Sequence, residues 1–487
     1  MADKVWRGPL DKLDECRWKI LRSYKQGMRV DGIIYADATM IEQVKGDNAP
    51  DQVANVAFLP GIVGHSMAMP DIHWGYGFPI GGVAATDPEE GGVVSPGGVG
   101  YDINCGVRLV RTRLREEDVR RDLPGLVAKL FATVPCGVGK GGHIRFSQVE
   151  ERKLVAEGAR YVVRQGYGRP EDLAHTEAGG ALEGADPDLV SDRAYQRGAG
   201  QCGTLGSGNH FVEVQVVDEV YDEAAAAAFG LAVGSITIMI HSGSRGFGYQ
   251  ICDEYVNSLV KAAQKYQIGL PDRQLACAPV NSPEGQRYLG AMRCAANYAW
   301  ANRQALMHLV RLAFEEFFKA SPAALGMDLV YDVAHNIAKM ERHVVGGRER
   351  LVCVHRKGAT RAFPPGHPEL PAEYRHIGQP VIIPGDMGRA SYLLVGTPRA
   401  MEETFGTTCH GAGRVMSRGQ AIRSAHGRDV ARRLADHGII VRGTDWKGLA
   451  EEQPAAYKDV NHVVEVVHRA GLSRKVCRMR PLGVIKG

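Results

Sequence analysis

Five glycines, at positions 91, 92, 97, 98 and 100, run directly into Asp102-Ile103-Asn104-Cys105-Gly106-Val107-Arg108. Glycine lets a backbone turn sharply and lie close to a bound group. A carboxylate and a thiol three residues apart at the end of such a run can ligate one metal cluster from a tight loop. Two ligands do not make a site. The fold must therefore bring remote segments to this loop.

Composition narrows the classes. A chain of 487 residues can bury a sizeable core, and its length alone suggests two or three domains. Its 44% hydrophobic and 23% charged residues are those of an ordinary globular protein. A net charge of +4 is too small to announce a nucleic-acid binder, yet it allows a local basic groove. Ten cysteines without a CxxC pair argue against a zinc ribbon and a disulfide framework, and for reduced thiols in a cytosolic protein. Met1 to Arg7 begins no signal-peptide pattern, and no apolar run reaches membrane-spanning length. A soluble cytoplasmic protein without a membrane partner is expected.

Along the chain, residues 1–60 hold a charged opening and a turn at Lys25–Gly32, and the stretch from Leu59 to Arg108 is loop-rich but ordered. Ser147 and Glu150 form a capping box that predicts a helix to about Gln165. Residues 167–200 are polar and read as a surface excursion. Phe211 to Val217 alternates as a strand does, and Ser235 to Ile240 reads as a more buried strand ending at His241. Ser282-Pro283-Glu284 starts a helix to about Lys319. Short β-rich runs follow at Leu329–Val333, Leu351–Val354 and Val381–Ile383, then a basic helix over 417–438 with Arg418, Arg423, Arg428, Arg432 and Arg433. Strands and helices interleave and candidate ligands span the chain. The expectation is one intertwined domain over 1–487, of mixed α/β class, with mixed sheets around a central metal cleft.

Four histidines share one setting. His210 follows Gly208-Asn209, and His241 opens Ser242-Gly243-Ser244-Arg245-Gly246. His335 lies in Asp332-Val333-Ala334-His335-Asn336, and His410 in Thr408-Cys409-His410-Gly411-Ala412-Gly413-Arg414. Each sits at a strand end or glycine turn, where α/β proteins place functional groups. One such histidine alone is more often structural; the recurrence points to a shared site. Asp71 and His73 either line that cleft or cap a turn. Gly137-Val138-Gly139-Lys140-Gly141-Gly142 fits GxGxxG, but no helix opens at once, which argues against a dinucleotide site. A Walker A sequence and a K-x-D-G nucleotidyltransferase pattern are both absent.

These motifs, with His355-Arg356-Lys357-Gly358-Ala359-Thr360-Arg361 and the terminal Lys486-Gly487, run in order from about residue 60 to the end. In that set and order the chain resembles the RtcB family of RNA ligases. The resemblance implies joining of RNA 3′-phosphate or 2′,3′-cyclic phosphate ends to 5′-hydroxyl ends, in tRNA splicing or RNA repair, with GTP and two Mn²⁺ ions. It implies that Cys105 bridges the two ions, with Asp102 and His210 on one and His241 and His335 on the other. It makes His410 the nucleophile that forms a histidine–GMP intermediate, with Gly411, Ala412, Gly413 and Arg414 around the phosphates. It implies a guanine pocket of Asn209, Phe211, Glu213, Ser391, Tyr457 and Lys486. RNA is the implied partner, with an archease-type accessory protein in some members. Ligand type alone would point to zinc or iron. RNA phosphates are expected at Arg108, Arg245, Arg356, Lys357 and Arg361.

One departure stands out: position 386 is aspartate where the family's well-known members carry serine. An acid near a triphosphate repels it. Asp386 is therefore expected to face a metal or an arginine, or to mark altered nucleotide handling. Two competing functions remain. A binuclear-metal phosphoesterase acting on RNA ends without ligation would need the five metal ligands but not His410. A non-enzymatic RNA-binding module would need a basic patch with stacking aromatics, which form only 7% of the chain.

Overall fold

The computed structural model describes residues 5–137 and 139–487. Residues 1–4 of the opening and Val138 of the Gly137–Gly142 run lie outside the described residues. Two large sheets carry the fold. The first has the strand order Asp328–Ala334, Gly106–Arg115, Ser235–Ser242, Phe211–Val220, Ser473–Lys486, Ser391–Gly396, Pro380–Ile383. Its neighbours are antiparallel, and Ile440–Gly443 lies parallel on Ser473–Lys486. The second runs Asp11–Lys12, Arg17–Ile20, Gly32–Tyr35, Ile62–His73, Ile80–Thr86, Arg348–Lys357, Asn336–Val345. The fold is the expected mixed α/β class. No described helix is long and apolar enough to cross a membrane.

The apolar strands of the first sheet are covered on both faces. Ile236, Ile238 and Ile240 pack with Leu306, Met307 and Val310 of the helix Pro283–Phe318. Met239 packs on the opposite face with Leu109, Phe211 and Leu393. Alternation of side chains along a strand sorts these residues into two cores. The long helix begins where its sequence directs: the Ser282 hydroxyl accepts from Gly285 N–H at 3.1 Å, with Pro283 in the first turn.

The register of this sheet sets one edge in common. Gly106 pairs with Ser242 and with Ala334, and Phe211 pairs with His241 and with Lys486. Cys105, His210, His241 and His335 therefore meet although they are spread over more than two hundred positions. His335 lies between Asp328–Ala334 of the first sheet and Asn336–Val345 of the second, so it marks the junction of the two sheets.

Three local expectations are corrected. The helix at Ser147 keeps its capping box but divides into Gln148–Glu157 and Ala159–Arg164. Gly158 has φ +60, and a Cβ there would lie 2.2 Å from the Gly180 carbonyl, so close approach of another segment breaks the helix. The basic helix over 417–438 is likewise two, Arg418–Ser424 and Gly427–Asp436; a Cβ on Gly427 would lie 1.9 Å from the Trp446 carbonyl. Residues 167–200 are a surface excursion only in part. Asp172 is buried against Arg311 at 2.7 Å, and Glu177 is buried against Lys339 at 2.6 Å. These two carboxylates neutralise buried cations.

Beneath the shared edge lies a buried ionic network. Arg303, from the long helix, donates to both Asp332 carboxylate oxygens at 2.9 and 2.8 Å, and Arg108 donates to the same carboxylate at 2.8 Å. Arg303 also donates to the carbonyls of Asn104 and Ser242 at 2.7 and 3.0 Å. Burial alone would raise the Asp332 carboxyl, but the two guanidinium groups outweigh it and hold it low. Asp332→Ala leaves two buried guanidinium groups without their anion. It is expected to cost about 3–5 kcal/mol, read as a lowered urea midpoint. A wild-type midpoint would remove the network from the account of stability.

Candidate active site and metal centre

A cleft of about 350 Å³ opens at the common strand edge. Its floor is the thiol–imidazole cluster. Cys105 Sγ lies 3.4 Å from His210 Nε2 and 3.2 Å from His241 Nε2. His241 Nε2 faces His335 Nε2 at 3.4 Å, and His210 Nε2 is 2.9 Å from Asp102 Oδ2. All five expected ligands are brought together. Cys105, His210 and His241 have ligand atoms within 4.8 Å of one another, close enough to hold one ion.

The backs of the rings are tied to the chain. His210 Nδ1 is 3.1 Å from the Leu205 carbonyl, and His241 Nδ1 is 3.1 Å from the Asn209 carbonyl. An N–H donated from His241 Nδ1 leaves its Nε2 lone pair facing the cluster, the arrangement a metal-ligating histidine needs. Asp102 Oδ1 accepts from Ser244 N–H at 2.9 Å, which leaves Oδ2 for the cluster. Burial holds the His241 and His335 imidazoles well below their ordinary range. Burial and the Asp102 carboxylate push the Cys105 thiol up. Without a cation the site thus holds a thiol and neutral imidazoles. A divalent ion would reverse the thiol's preference and use every lone pair aimed inward. The donor set fits a metal.

His410 stands beside the cluster, its ring centroid 4.9 Å from that of His335. Its Nδ1 is 2.5 Å from Asp71 Oδ2, and the same oxygen accepts from the backbone N–H groups of His410 and Gly411 at 2.9 and 3.2 Å. Burial would raise the Asp71 carboxyl, but His410 and Lys458 hold it low. An ionised Asp71 fixes the proton on Nδ1 and leaves the Nε2 lone pair free. Asp71 is thus neither a simple turn cap nor a cleft wall: it orients His410 from behind. His73 does line the cleft. Gly413 has φ +74, and a Cβ there would lie 2.3 Å from the Asp71 carbonyl, so only glycine lets this turn sit against Asp71.

The other end of the cleft is lined by Asn209, Phe211, Glu213, Tyr457 and Lys486, together with Gly411, Ala412, Gly413 and Arg414. Ser391 is not on the wall. It is buried and accepts from Gly385 N–H at 3.2 Å, holding the 384–388 loop. Burial pushes the Glu213 carboxyl up to about 8, against the Gln215 amide at 2.6 Å and the Lys486 cation. Lys486 closes the first sheet beside Phe211, its ammonium 3.3 Å from the Gly208 carbonyl. Arg414 lines the cleft but pairs with Glu452 at 3.0 Å and donates to Tyr457 Oη at 3.0 Å. Glu452 carries no sequence signal; only its contacts with Arg414, Tyr457 and Lys486 reveal it. Asp386 faces an arginine: its Oδ2 is 2.6 Å from Arg389, whose guanidinium also reaches the carbonyls of Pro454 and Lys458.

The five cations assigned to RNA fare differently. Arg108, Arg356 and Arg361 are fully buried, held by Asp332, by Glu341 and by Glu369 with Gln379. They build the fold and do not face solvent. Arg245 lies behind His210, 3.0 Å from its Nδ1. Lys357 does line the cleft; its ammonium is held by the Tyr76 and Phe78 carbonyls, and burial pushes it down to about 7. Charged spacing on a strand does not say whether an arginine meets an internal carboxylate or water, and that is why the sequence misplaced three of the five.

With this geometry in place, comparison with known proteins gives the family. Residues 52–487 match the family described as tRNA-splicing ligase RtcB. A protein of that name from Archaeoglobus fulgidus is 56% identical over 480 residues, covering 99% of each chain. One from Thermococcus kodakarensis is 54% identical over 98% of this chain and 99% of its own length. A protein named RNA-splicing ligase RtcB from Mycobacterium tuberculosis is 55% identical over 90% of this chain and all of its own. Agreement over nearly the full length, in sequences from such distant organisms, means that the chain belongs to the RtcB family.

Proposed function

We propose that this chain is a GTP- and manganese-dependent RNA ligase that joins RNA 3′-phosphate or 2′,3′-cyclic phosphate ends to 5′-hydroxyl ends, in tRNA splicing or RNA repair. The observation that carries the reading is the Asp71–His410 pair beside the cysteine–histidine cluster. A phosphoesterase acting on the same ends would use such a histidine only to move a proton, so covalent capture of GMP on His410 separates the two readings. We read the 487 residues as one catalytic unit, since Asp71, Cys105, His210, His335 and His410 all serve one cleft. Ten free cysteines, all buried, fit work in a reducing cytoplasm. RNA as substrate, and an archease-type accessory protein, come to the reading by family likeness.

His410 Nε2 attacks the α-phosphorus of GTP; the N–P bond forms, the α–β anhydride bond breaks and pyrophosphate leaves. Asp71 keeps the Nδ1 proton in place and stabilises the imidazolium as the ring loses its lone pair. Water opens a 2′,3′-cyclic phosphate end to the 3′-phosphate, and an RNA 3′-phosphate oxygen then displaces His410 from the phosphorus, which activates the RNA end as a pyrophosphate linkage. The 5′-hydroxyl attacks the RNA phosphorus and GMP departs. Asp102, Cys105 and His210 would hold one Mn²⁺, and Cys105, His241 and His335 the other. Such ions supply Lewis acidity for attacking and leaving phosphate oxygens. Glu213 accepts from the guanine N1–H and 2-amino groups, which adenine does not offer as a pair. The arginine partner of Asp386 offsets the repulsion that its carboxylate would exert on a nucleotide.

Incubation with Mn²⁺ and α-labelled GTP is expected to leave an acid-labile label on the denatured protein. His410→Ala should abolish it, and Asp71→Asn should slow its appearance between about 10²- and 10⁴-fold. Label that persists in His410→Ala would sink the nucleophile assignment. The metal reading predicts that Cys105→Ser weakens Mn²⁺ binding by more than roughly tenfold in calorimetry; an unchanged isotherm would count against it. Glu213 must ionise to accept two guanine donors, and burial holds it protonated below about pH 8. GTP affinity should therefore rise as pH climbs from 6 toward 8 and then level off, with Glu213→Gln flattening the profile. A flat wild-type profile would remove Glu213 from guanine recognition.

A further inference from the structure

Beside the cleft mouth, the stretch from Arg418 to Lys447 carries seven basic side chains against three acidic ones. Its excess of four equals the net charge of the whole chain. All seven basic side chains are exposed. Among the described residues, carboxylates engage only Arg418, 3.3 Å from Glu451, and Arg432, 3.0 Å from Asp429. The charge is therefore free to act outward. Trp446 stands in the same face with half its surface exposed, and the Arg428 guanidinium lies 5.5 Å from its ring centroid.

This face is continuous with the cleft. Arg418 belongs to both, and Gln453 bonds the Ala421 carbonyl at 2.7 Å and the Ser424 hydroxyl at 3.0 Å. Glu452 and Tyr457, on either side of Gln453 in the chain, belong to the cleft wall. The basic helices are thus fixed to the wall rather than hung on a linker. Cations track a phosphate backbone, and an exposed indole offers a platform to an unstacked base. A duplex keeps its bases stacked inside and has no use for that platform.

We propose that this face is where the single-stranded RNA end lies, with its phosphates along Arg423, Arg428, Arg442 and Lys447 and a base against Trp446. It takes the place of the buried Arg108, Arg356 and Arg361 as the source of RNA affinity. The proposal rests on the RNA ligase reading of the cleft, and its test separates the two. The probe is a fluorescent single-stranded oligoribonucleotide ending in a 3′-phosphate, followed by anisotropy over a salt series. Arg423→Glu with Arg442→Glu is expected to weaken binding more than tenfold. Two lost phosphate contacts should also lower the slope of log Kd against log salt by about 1.4. Trp446→Ala should weaken binding roughly tenfold at every salt concentration. All variants should keep the wild-type rate of His410 labelling by GTP, a step that involves no RNA. Wild-type RNA affinity and salt slope in both variants would overturn the proposal. So would loss of binding to an acidic polypeptide with RNA affinity intact. Absence of GTP label in the wild-type protein would instead refute the ligase reading, with the RNA affinities still deciding the surface.

Discussion

The site depends on the buried contact between Arg303 and the Asp332 carboxylate. A guanidinium taken out of water is costly unless its donors are met, and Arg303 meets them with Asp332, Asn104 and Ser242. Those three residues belong to three separate segments, each next to a residue of the cysteine–histidine cluster or a short step from one. Asn104 precedes Cys105 with φ +52, a conformation few residues other than glycine adopt, and its carbonyl and side chain both bond to Arg303. One charged side chain from the long helix thus holds the loop that carries Asp102 and Cys105.

Antiparallel register does the rest. Once Gly106 pairs with both Ser242 and Ala334, the residues flanking those strand ends have little freedom. His335 N–H donates to the Cys105 carbonyl at 2.9 Å, and the Asn209 carbonyl meets His241 Nδ1. The segments of the cluster are therefore linked to each other through backbone groups. That preorganisation lets the ligand atoms of Cys105, His210 and His241 stand within 4.8 Å of one another around a common space.

The end of the cleft around Glu213 and Lys486 follows a different logic. Glu213 and Glu452 are buried with Lys486, and Arg414 balances Glu452 from the wall. The Glu452 carboxylate is compensated by cations close at hand and burial keeps Glu213 protonated, so the cleft presents shape and directed hydrogen-bonding groups instead of bare charge. Asp386 follows the same pattern: its arginine joins the 384–388 loop to the carbonyls around Tyr457.

The residue types of the site, the long helix with its serine cap, the buried strand ending at His241 and the family were all legible in the amino-acid order. Motif chemistry and periodicity are local, so they survive in one dimension. Four things were not legible there: Glu452, the role of Asp71 behind His410, the absence of Ser391 from the cleft wall, and the burial of Arg108, Arg356 and Arg361. Each of those depends on which side chain a residue meets across the fold, and the same arginine is a phosphate ligand or an internal counter-ion according to that partner. The breaks at Gly158 and Gly427 are of the same kind, since a helix that its own sequence would continue is stopped by the backbone of another segment. These points belong to the folded chain because close approach and charge pairing are properties of two segments, and a sequence shows each segment alone.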